Sequence, residues 1–349
     1  MIEVIEASAF LRHRMDCPVI DVRSPGEYRQ GHLYGSFNIP LFSDEERAIV
    51  GTLYVKTGRA QAIQRGMEIA VPKLAGYIEA LDQMSPQKWI FLHCWRGGAR
   101  SERMAGVFSG AGYHVILIAG GYKALRHEIR KELGRHAKVV ILGGYTGSGK
   151  TDLLQALGIM GEQVIDLEGL ASHRGSAFGA LGLPGQPTNE QFENNLFAQW
   201  AAMDFTRTIW MEDESRMIGR VTLPDPVISQ ISNNPMILAE IPNSVRTARL
   251  VQEYARFDKR LLAASLFRIS ERLGGQRTRD ALRALEEDRF SDVTEIVLAY
   301  YDKAYRFSMA RRKSPQVYPI ELDGLDAKKD AGKIIEMVRK TSIYGTYLP

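Results

Sequence analysis

The 349-residue chain contains two cysteines, and one of them, Cys94, heads the run HCWRGGARS at 93–101. Arg96, Gly97, Gly98, Arg100 and Ser101 follow it closely. A thiol placed between an apolar strand and a helix start meets backbone N–H groups, the positive end of the helix and two guanidiniums. Those neighbours favour the thiolate, so its expected pKa is about 4 to 7 rather than about 8.5. Gly97 and Gly98 let the backbone curl its amides towards the sulfur, and the two arginines suit an oxyanion. The competing reading is an inert core thiol, since free cysteine is among the most buried residue types. The basic, glycine-rich setting argues against that for Cys94. Cys17, which precedes Pro18 and an apolar run, reads as core packing.

A second run, GYTGSGKT at 144–151, matches G-x-x-x-x-G-K-[ST] in full and lies between the strand-like VVIL and the helix-like DLLQAL. Gly144, Gly147, Ser148 and Gly149 let successive amides converge on a phosphate, and Lys150 reaches its far end. Thr151 offers a hydroxyl to Mg²⁺, the expected metal here. Nucleotide-hydrolysing loops of this kind add an acid at the end of a second strand. TIWMEDESR supplies Glu212, Asp213 and Glu214, and VIDLEG supplies Asp166 and Glu168; spacing does not choose among them. A third feature is the excess of about 16 Lys/Arg over 10 Asp/Glu between residues 244 and 313. Solvated helix faces account for such an excess, and so does a polyanion partner, with Arg246, Arg249, Arg256 and Arg260 as phosphate contacts.

Around these residues, CPVIDVR (17–23), WIFLHC (89–94) and HVILIAGG (114–121) are apolar runs of strand length. Helical patterns at 100–112 and 123–136 alternate with them, which predicts an α/β domain with a parallel sheet over residues 1–136. A second α/β domain is expected over 137–349, with strands at VVIL, QVIDLEG (163–169), TIWMEDES (208–215) and PMILAEI (235–241), then a helical block. The length alone favours two domains. Two cysteines exclude a disulfide framework and a Cys-rich structural zinc site, so no structural metal is expected. No apolar run nears the roughly 18 residues of a membrane span, and the acidic start MIEVIEASAF lacks a leader pattern, which makes cytoplasm the default. The net charge of +4 is too small to identify a partner.

Three motifs carry a resemblance. DVRSPGEYRQGHLYGSFNIP (21–40) is similar to the opening signature of rhodanese domains. LHCWRGGARS resembles their active-site loop, and YHVILIAGGYKALR their closing strand and Gly-Gly turn. Simple rhodaneses read Cys-x-x-Gly-x-Arg-Ser, whereas here Arg-Ser falls one residue later. The resulting Cys-(x)5-Arg spacing resembles that of rhodanese-fold phosphatases and implies a tetrahedral anion. With GYTGSGKT, WMEDESRMIGR and PNSVRTARLVQEY, the chain resembles the tRNA 2-selenouridine synthases over nearly its full length: a rhodanese-like domain followed by a P-loop NTPase-like domain with a helical C-terminal part.

That resemblance implies a transferase acting on tRNA with a 2-thiouridine wobble base. The thiouridine would be S-geranylated from geranyl diphosphate, and selenium from selenophosphate would then replace the geranylthio group. In this scheme Cys94 takes up selenium as a selenosulfide, and Arg96, Arg100, Ser101 and the Gly97–Gly98 amides hold the selenophosphate. The P-loop holds the diphosphate, and a selenophosphate synthetase is an implied partner. Trp95 either stacks on the wobble base or covers the core. Three rivals stay open: a persulfide sulfurtransferase coupled to an ATP-binding P-loop, a nucleotide-switched RNA-binding regulator with a redox-sensing Cys94, and a phosphatase, for which the loop shows no general acid.

Overall fold

Runs of Val, Ile, Leu and Phe without polar alternation suit strands covered on both faces. In the computed structural model they form two five-stranded parallel sheets. All residues are described except 13–15, 313, 315, 342 and 344–349, so Lys313 at the end of the basic stretch lies outside the described residues. The chain divides into two compact units: Met1–Glu132 with Glu193–Ala198, and Leu133–Phe192 with Gln199–Pro349.

The first unit's strands are β1 (Ile2–Ile5), β2 (Val19–Asp21), β3 (Ser36–Asn38), β4 (Trp89–His93) and β5 (His114–Ile118), in the order β1-β5-β4-β2-β3. Ile20, Leu92, Phe108, Tyr113 and Val115 are fully buried around them, each burial of an Ile, Leu or Phe contributing about 1.5–3 kcal/mol. β1 was not expected from sequence. It is an edge strand with three of four residues exposed, so its apolar signal is diluted by Glu3. Asp21 lies opposite His93 in the β2–β4 ladder, which brings their C-terminal ends together where Cys94 emerges. The C-terminal edge of a parallel sheet is where such folds place their chemistry. The helix Ala99–Gly110 follows the cysteine loop, and Gly121–Glu132 follows β5, burying Tyr122, Leu125 and Ile129 on one face. Three helices, Asp44–Thr57, Arg59–Ala70 and Leu74–Met84, lie between β3 and β4 in sequence; the first buries none of its residues.

The second unit contains β6 (Val139–Gly144), β7 (Gln163–Ile165), β8 (Ile209–Glu212), a small antiparallel hairpin of β9 (Met217–Ile218) and β10 (Val221–Thr222), β11 (Met236–Glu240) and β12 (Val317–Glu321). The five-stranded order is β12-β11-β6-β8-β7, with β6 central and buried along its whole length. The core on one side collects Val140, Leu142, Leu154, Trp210 and Ile334. Helices Asn243–Tyr254, Lys259–Arg268, Ser270–Leu273, Gly275–Glu286 and Phe290–Met309 make up the expected helical block. β12 and the helix Ala327–Thr341 after it were not foreseen. β12 carries Pro319, which argues against a strand in sequence but is tolerated because β12 is an edge. No described helix is long and apolar enough to cross a membrane.

Candidate functional site

Cys94 leaves β4 directly into a loop that ends at the helix Ala99–Gly110. The thiol is 3% exposed and belongs to the first unit's core, yet it also lines an open groove. Burial and a place in the groove wall therefore coincide. Ser101 Oγ lies 3.2 Å from Cys94 Sγ and 3.1 Å from the Gly98 carbonyl, so its one proton serves either acceptor. Burial pushes the Cys94 thiol up, but the Ser101 hydroxyl, the Ser101 and Arg96 amides and the Arg100 charge outweigh it and leave the pKa below the ordinary thiol value. The loop thus favours the thiolate more than water does.

Two glycines make the loop possible. Gly97 has φ +70°, and a Cβ there would come within 2.9 Å of the Gly120 nitrogen. Gly121 has φ +59°, and a Cβ there would run into the Cys94 carbonyl and lie 2.5 Å from the Gly97 nitrogen. The Gly-Gly turn after β5 thus packs backbone to backbone against the cysteine loop. Tyr122 N donates to the Cys94 carbonyl at 2.8 Å and Lys123 N to the Trp95 carbonyl at 2.9 Å. Gly98 is different from what sequence suggested. Its backbone is extended and a Cβ would meet nothing within 4 Å, so the missing side chain keeps the mouth open rather than permitting the curl.

Arg96 is exposed at that mouth, whereas Arg100 is held by Glu27, Nη1 to Oε2 at 2.7 Å and Nη2 to Oε1 at 3.4 Å. Arg47 reaches the same carboxylate at 3.0 Å. Burial works against charge on Glu27, but Arg100, the Ser24 amide and Arg47 keep its pKa low. Two guanidiniums on one carboxylate leave a net positive charge beside the sulfur. Sequence reading did not single out Glu27, although it sits in the SPGEYR run. Nor did it single out the fully buried Asp21–Arg23 pair (2.6 Å), whose guanidinium stacks over Tyr122 at 3.7 Å. Removing either partner would strand a buried charge, at about 3–5 kcal/mol. Trp95 is half-buried, 5.8 Å from the Tyr122 ring, so it is neither sealed in the core nor free of it. Cys17, expected in the core, is only half-buried, because it sits ahead of β2 rather than within it.

In the second unit the phosphate loop leaves β6 and enters the helix Lys150–Ile159. Gly147 and Gly149 are both left-handed, and the Arg249 guanidinium occupies the space a Cβ at Gly149 would need. Lys150 Nζ donates to the Gly144 carbonyl at 3.1 Å, folded back over its own loop. Ser148 Oγ is buried without a hydrogen-bond partner among the described residues.

The acids left open by sequence sort themselves by geometry. Carboxylate oxygens of Glu168, Glu212 and Glu214 lie within 4.8 Å of one another, and Thr151 Oγ1 donates to Glu168 at 3.2 Å. Glu212 Oε1 accepts from the Glu168 amide at 2.6 Å, while its Oε2 is buried and unpaired. Burial, then the charges of Glu168 and Glu214, pushes Glu212 well above the usual carboxylate range. Burial and Glu168 push Glu214 up to about 8. An orphaned buried oxygen amid three hard oxygen donors and a hydroxyl fits a divalent cation such as Mg²⁺. Asp166 instead caps the short helix Leu167–Ala171, accepting from Gly169 N at 2.6 Å. Asp213 accepts from Tyr305 at 2.9 Å and faces Arg312 at 3.4 Å, and the same Tyr305 hydroxyl accepts from Gly144 N at 3.1 Å. That network ties the phosphate loop to the helical block.

A cleft of about 1090 Å³ opens over the loop, lined also by Arg174, Arg249, Arg256 and Arg272. Arg174 and Arg272 were not anticipated; nothing in their local sequence marks them. Of the four arginines expected to meet a polyanion, Arg246 is a correction. It is 4% exposed, ion-paired with Asp302 at 2.7 Å and bonded to the Thr146 carbonyl at 3.0 Å, so it braces the phosphate loop from behind. Arg249 pairs with Asp152 and donates to the Gly324 carbonyl. Arg256 and Arg260 are exposed.

The family model for the tRNA 2-selenouridine synthase AAA domain matches residues 137–321, and that for the rhodanese-like domain matches 6–128. The chain is 33% identical over 359 residues to the tRNA 2-selenouridine synthase of Nitrosomonas europaea, covering 85% of this chain and 90% of that protein. It is 34% identical to the one from Aeromonas salmonicida, with 87% and 90% covered, and 33% identical to the one from Shewanella frigidimarina, with 91% and 96% covered.

Proposed function

The chain belongs to the tRNA 2-selenouridine synthase family, and on that premise we propose that it converts wobble 2-thiouridine in tRNA to 2-selenouridine, in two steps at two anion cradles. In the first, the loop Gly144–Thr151 holds the diphosphate of geranyl diphosphate, with Lys150 moving from the Gly144 carbonyl onto it. The thiouridine sulfur attacks C1 of the geranyl chain, the C–O bond breaks, diphosphate leaves, and the base loses its N3 proton to solvent. Glu168, Glu212, Glu214 and Thr151 would hold Mg²⁺, which neutralises charge on diphosphate oxygens. S-alkylation turns the thiocarbonyl sulfur into a group able to leave as a thiolate.

The second step belongs to Cys94, and the observation that carries it is the thiolate-stabilising contact from Ser101 at the head of a Cys-(x)5-Arg loop. Selenium in selenophosphate is already at the selenide level, so forming a selenosulfide on Cys94 would require an oxidant. Attack of Cys94 Sγ on phosphorus requires none. The S–P bond forms, the P–Se bond breaks, and selenium leaves as hydroselenide after taking a proton from solvent. Loop amides and Arg100 hold the phosphoryl oxygens. Hydroselenide, a weak base, needs no general acid to depart. It then adds at C2 of the geranylated base, the C2–S bond breaks, N3 regains its proton, and geranylthiolate leaves to be protonated by solvent. Water hydrolyses the cysteinyl thiophosphate. A selenophosphate synthetase remains the implied source of the donor.

The test is purified full chain with thiouridine tRNA, geranyl diphosphate and selenophosphate, each omitted in turn. Mass spectrometry of the wobble nucleoside should show the geranylated base without selenophosphate and the selenated base only with both. Cys94→Ser should stop phosphate release from selenophosphate, read by ³¹P NMR. No mass change under any combination sinks the proposal. Sulfur incorporation with ATP turnover that needs Lys150 would favour the sulfurtransferase instead. An enzyme trapped with selenium rather than phosphorus on Cys94 would move the attack back to selenium.

A further inference from the structure

The helix Asp44–Thr57 buries none of its residues, although it carries Val50, Tyr54 and Val55. Tyr54 and Val55 are 58% and 84% exposed, and across from them on Arg59–Ala70 Met67 is 48% exposed. Val50 leans on the core, but Tyr54 and Val55 stay exposed where a small domain normally turns large apolar side chains inward. Here they border a groove of about 1230 Å³, formed wholly by first-unit residues, with Phe42, Met104 and Val107 also in its wall. A groove of that size holds a ligand larger than a lone anion. Two features say what kind. The groove continues into the cysteine loop, because Cys94, Trp95, Arg96 and Gly98 line it too. Its lining contains six cations and no Asp or Glu; Arg47 and Arg100 are paired with Glu27, while Lys56, Arg59, Arg96 and Arg103 are exposed.

An apolar trough framed by cations and ending at a nucleophilic sulfur suits a hydrocarbon chain carried on a polyanion. We propose that this groove holds the isoprenoid chain of the S-prenylated tRNA base, with the rim cations on RNA phosphates and the base itself at the cysteine loop. The inference rests on the two-step reading above. A chain seated along Val50, Tyr54 and Met67 places the carbon–sulfur bond to be broken beside Cys94, and receives the prenyl thiol as it leaves. The groove thereby selects alkylated over unalkylated thiouridine and sets the order of the two steps. A free prenyl diphosphate offers the same hydrocarbon but no base to present, which is why RNA is the occupant chosen.

Gly51 lines the groove, and a Cβ there meets nothing within 4 Å, so Gly51→Phe starts its side chain in open space at the trough. Val55→Glu puts a charge there at a position whose exposure leaves no packing to lose. The full chain is given selenophosphate and an anticodon stem-loop bearing either S-geranyl- or S-methyl-2-thiouridine. Wild type should prefer the geranyl RNA at least about tenfold in kcat/KM, and each variant should bring the two RNAs towards parity, with the change in KM. A photoreactive isoprenoid on the stem-loop should label Asp44–Thr57 or Arg59–Ala70. Selenation of both RNAs with the preference unmoved by either variant overturns the groove assignment and leaves the two-step reading standing. Selenation of neither RNA by wild type overturns both. A variant that changes self-association but not the preference makes the groove an interface between copies. Labelling by free geranyl diphosphate in preference to the RNA moves the groove to the first step.

Discussion

Ser101 governs how far the pH can fall before Cys94 loses its charge. The lowered thiol pKa means that reactivity is present above that pKa and lost as pH drops through it. The Ser101 hydroxyl is the largest of the contacts that favour the charged sulfur. Ser101→Ala should therefore move the acid limb of selenation upward, and alkylation of Cys94 by iodoacetamide should move with it. An unchanged limb would mean that the hydroxyl serves the Gly98 carbonyl instead. Cys94, Arg96, Arg100 and Ser101 were legible because a cysteine loop writes its chemistry in adjacent residues. Glu27 was not, since its pairing with Arg100 spans seventy-three positions and exists only in the fold. The same holds for Arg246, whose charge reads as a phosphate contact until Asp302 is brought beside it.

At the level of elements, the β6–β8 pairing sets Glu212 opposite Leu142, two residues before the phosphate loop begins. Placing Glu168 and Glu214 beside it concentrates negative charge where burial already disfavours it. The consequence is a stability that depends on pH in an unusual direction. Glu214 is raised from 4.5 to about 8, so between those values the folded chain holds a proton that the unfolded chain has lost. Stability contributed by that proton is full below about 4.5 and disappears as pH rises through about 8. In chelator, the melting of the second unit in the full chain should fall from pH 5.5 to pH 8. Mg²⁺ or Mn²⁺ should restore it, more strongly at pH 8, because the ion replaces the proton. A melting curve indifferent to both would remove the cation from the cluster. The sequence places these acids after strand-like runs without ranking them; Glu168 lies on the short helix after β7, and only the fold brings it to Glu212 and Glu214. It missed β1 and β12 for a related reason: edge strands are half solvated, and their composition shows it.

For the whole molecule, the residues lining each cavity belong to one unit, and the two steps should separate genetically. Lys150→Ala should lower geranylation by about 10²–10³-fold while sparing selenation of RNA geranylated beforehand. Cys94→Ser should do the reverse. Loss of both steps in either variant would show a single shared centre. The two-domain α/β plan, the phosphate loop and the cysteine loop could all be read in advance, since each is a contiguous motif between apolar runs. The long groove beside Cys94 could not. Tyr54 and Val55 on one helix and Met67 on the next look like ordinary surface apolar residues in sequence, and only the finished packing shows that they border one groove.

The interlock of Gly97 with Gly120 and Gly121 has a thermodynamic consequence of its own. A loop whose amides are locked by a second backbone does not stiffen when an anion arrives, because it has little freedom left to lose. Ordering entropy is thus spent during folding rather than on binding. The donors of a loop so locked by its neighbour would meet an anion already oriented.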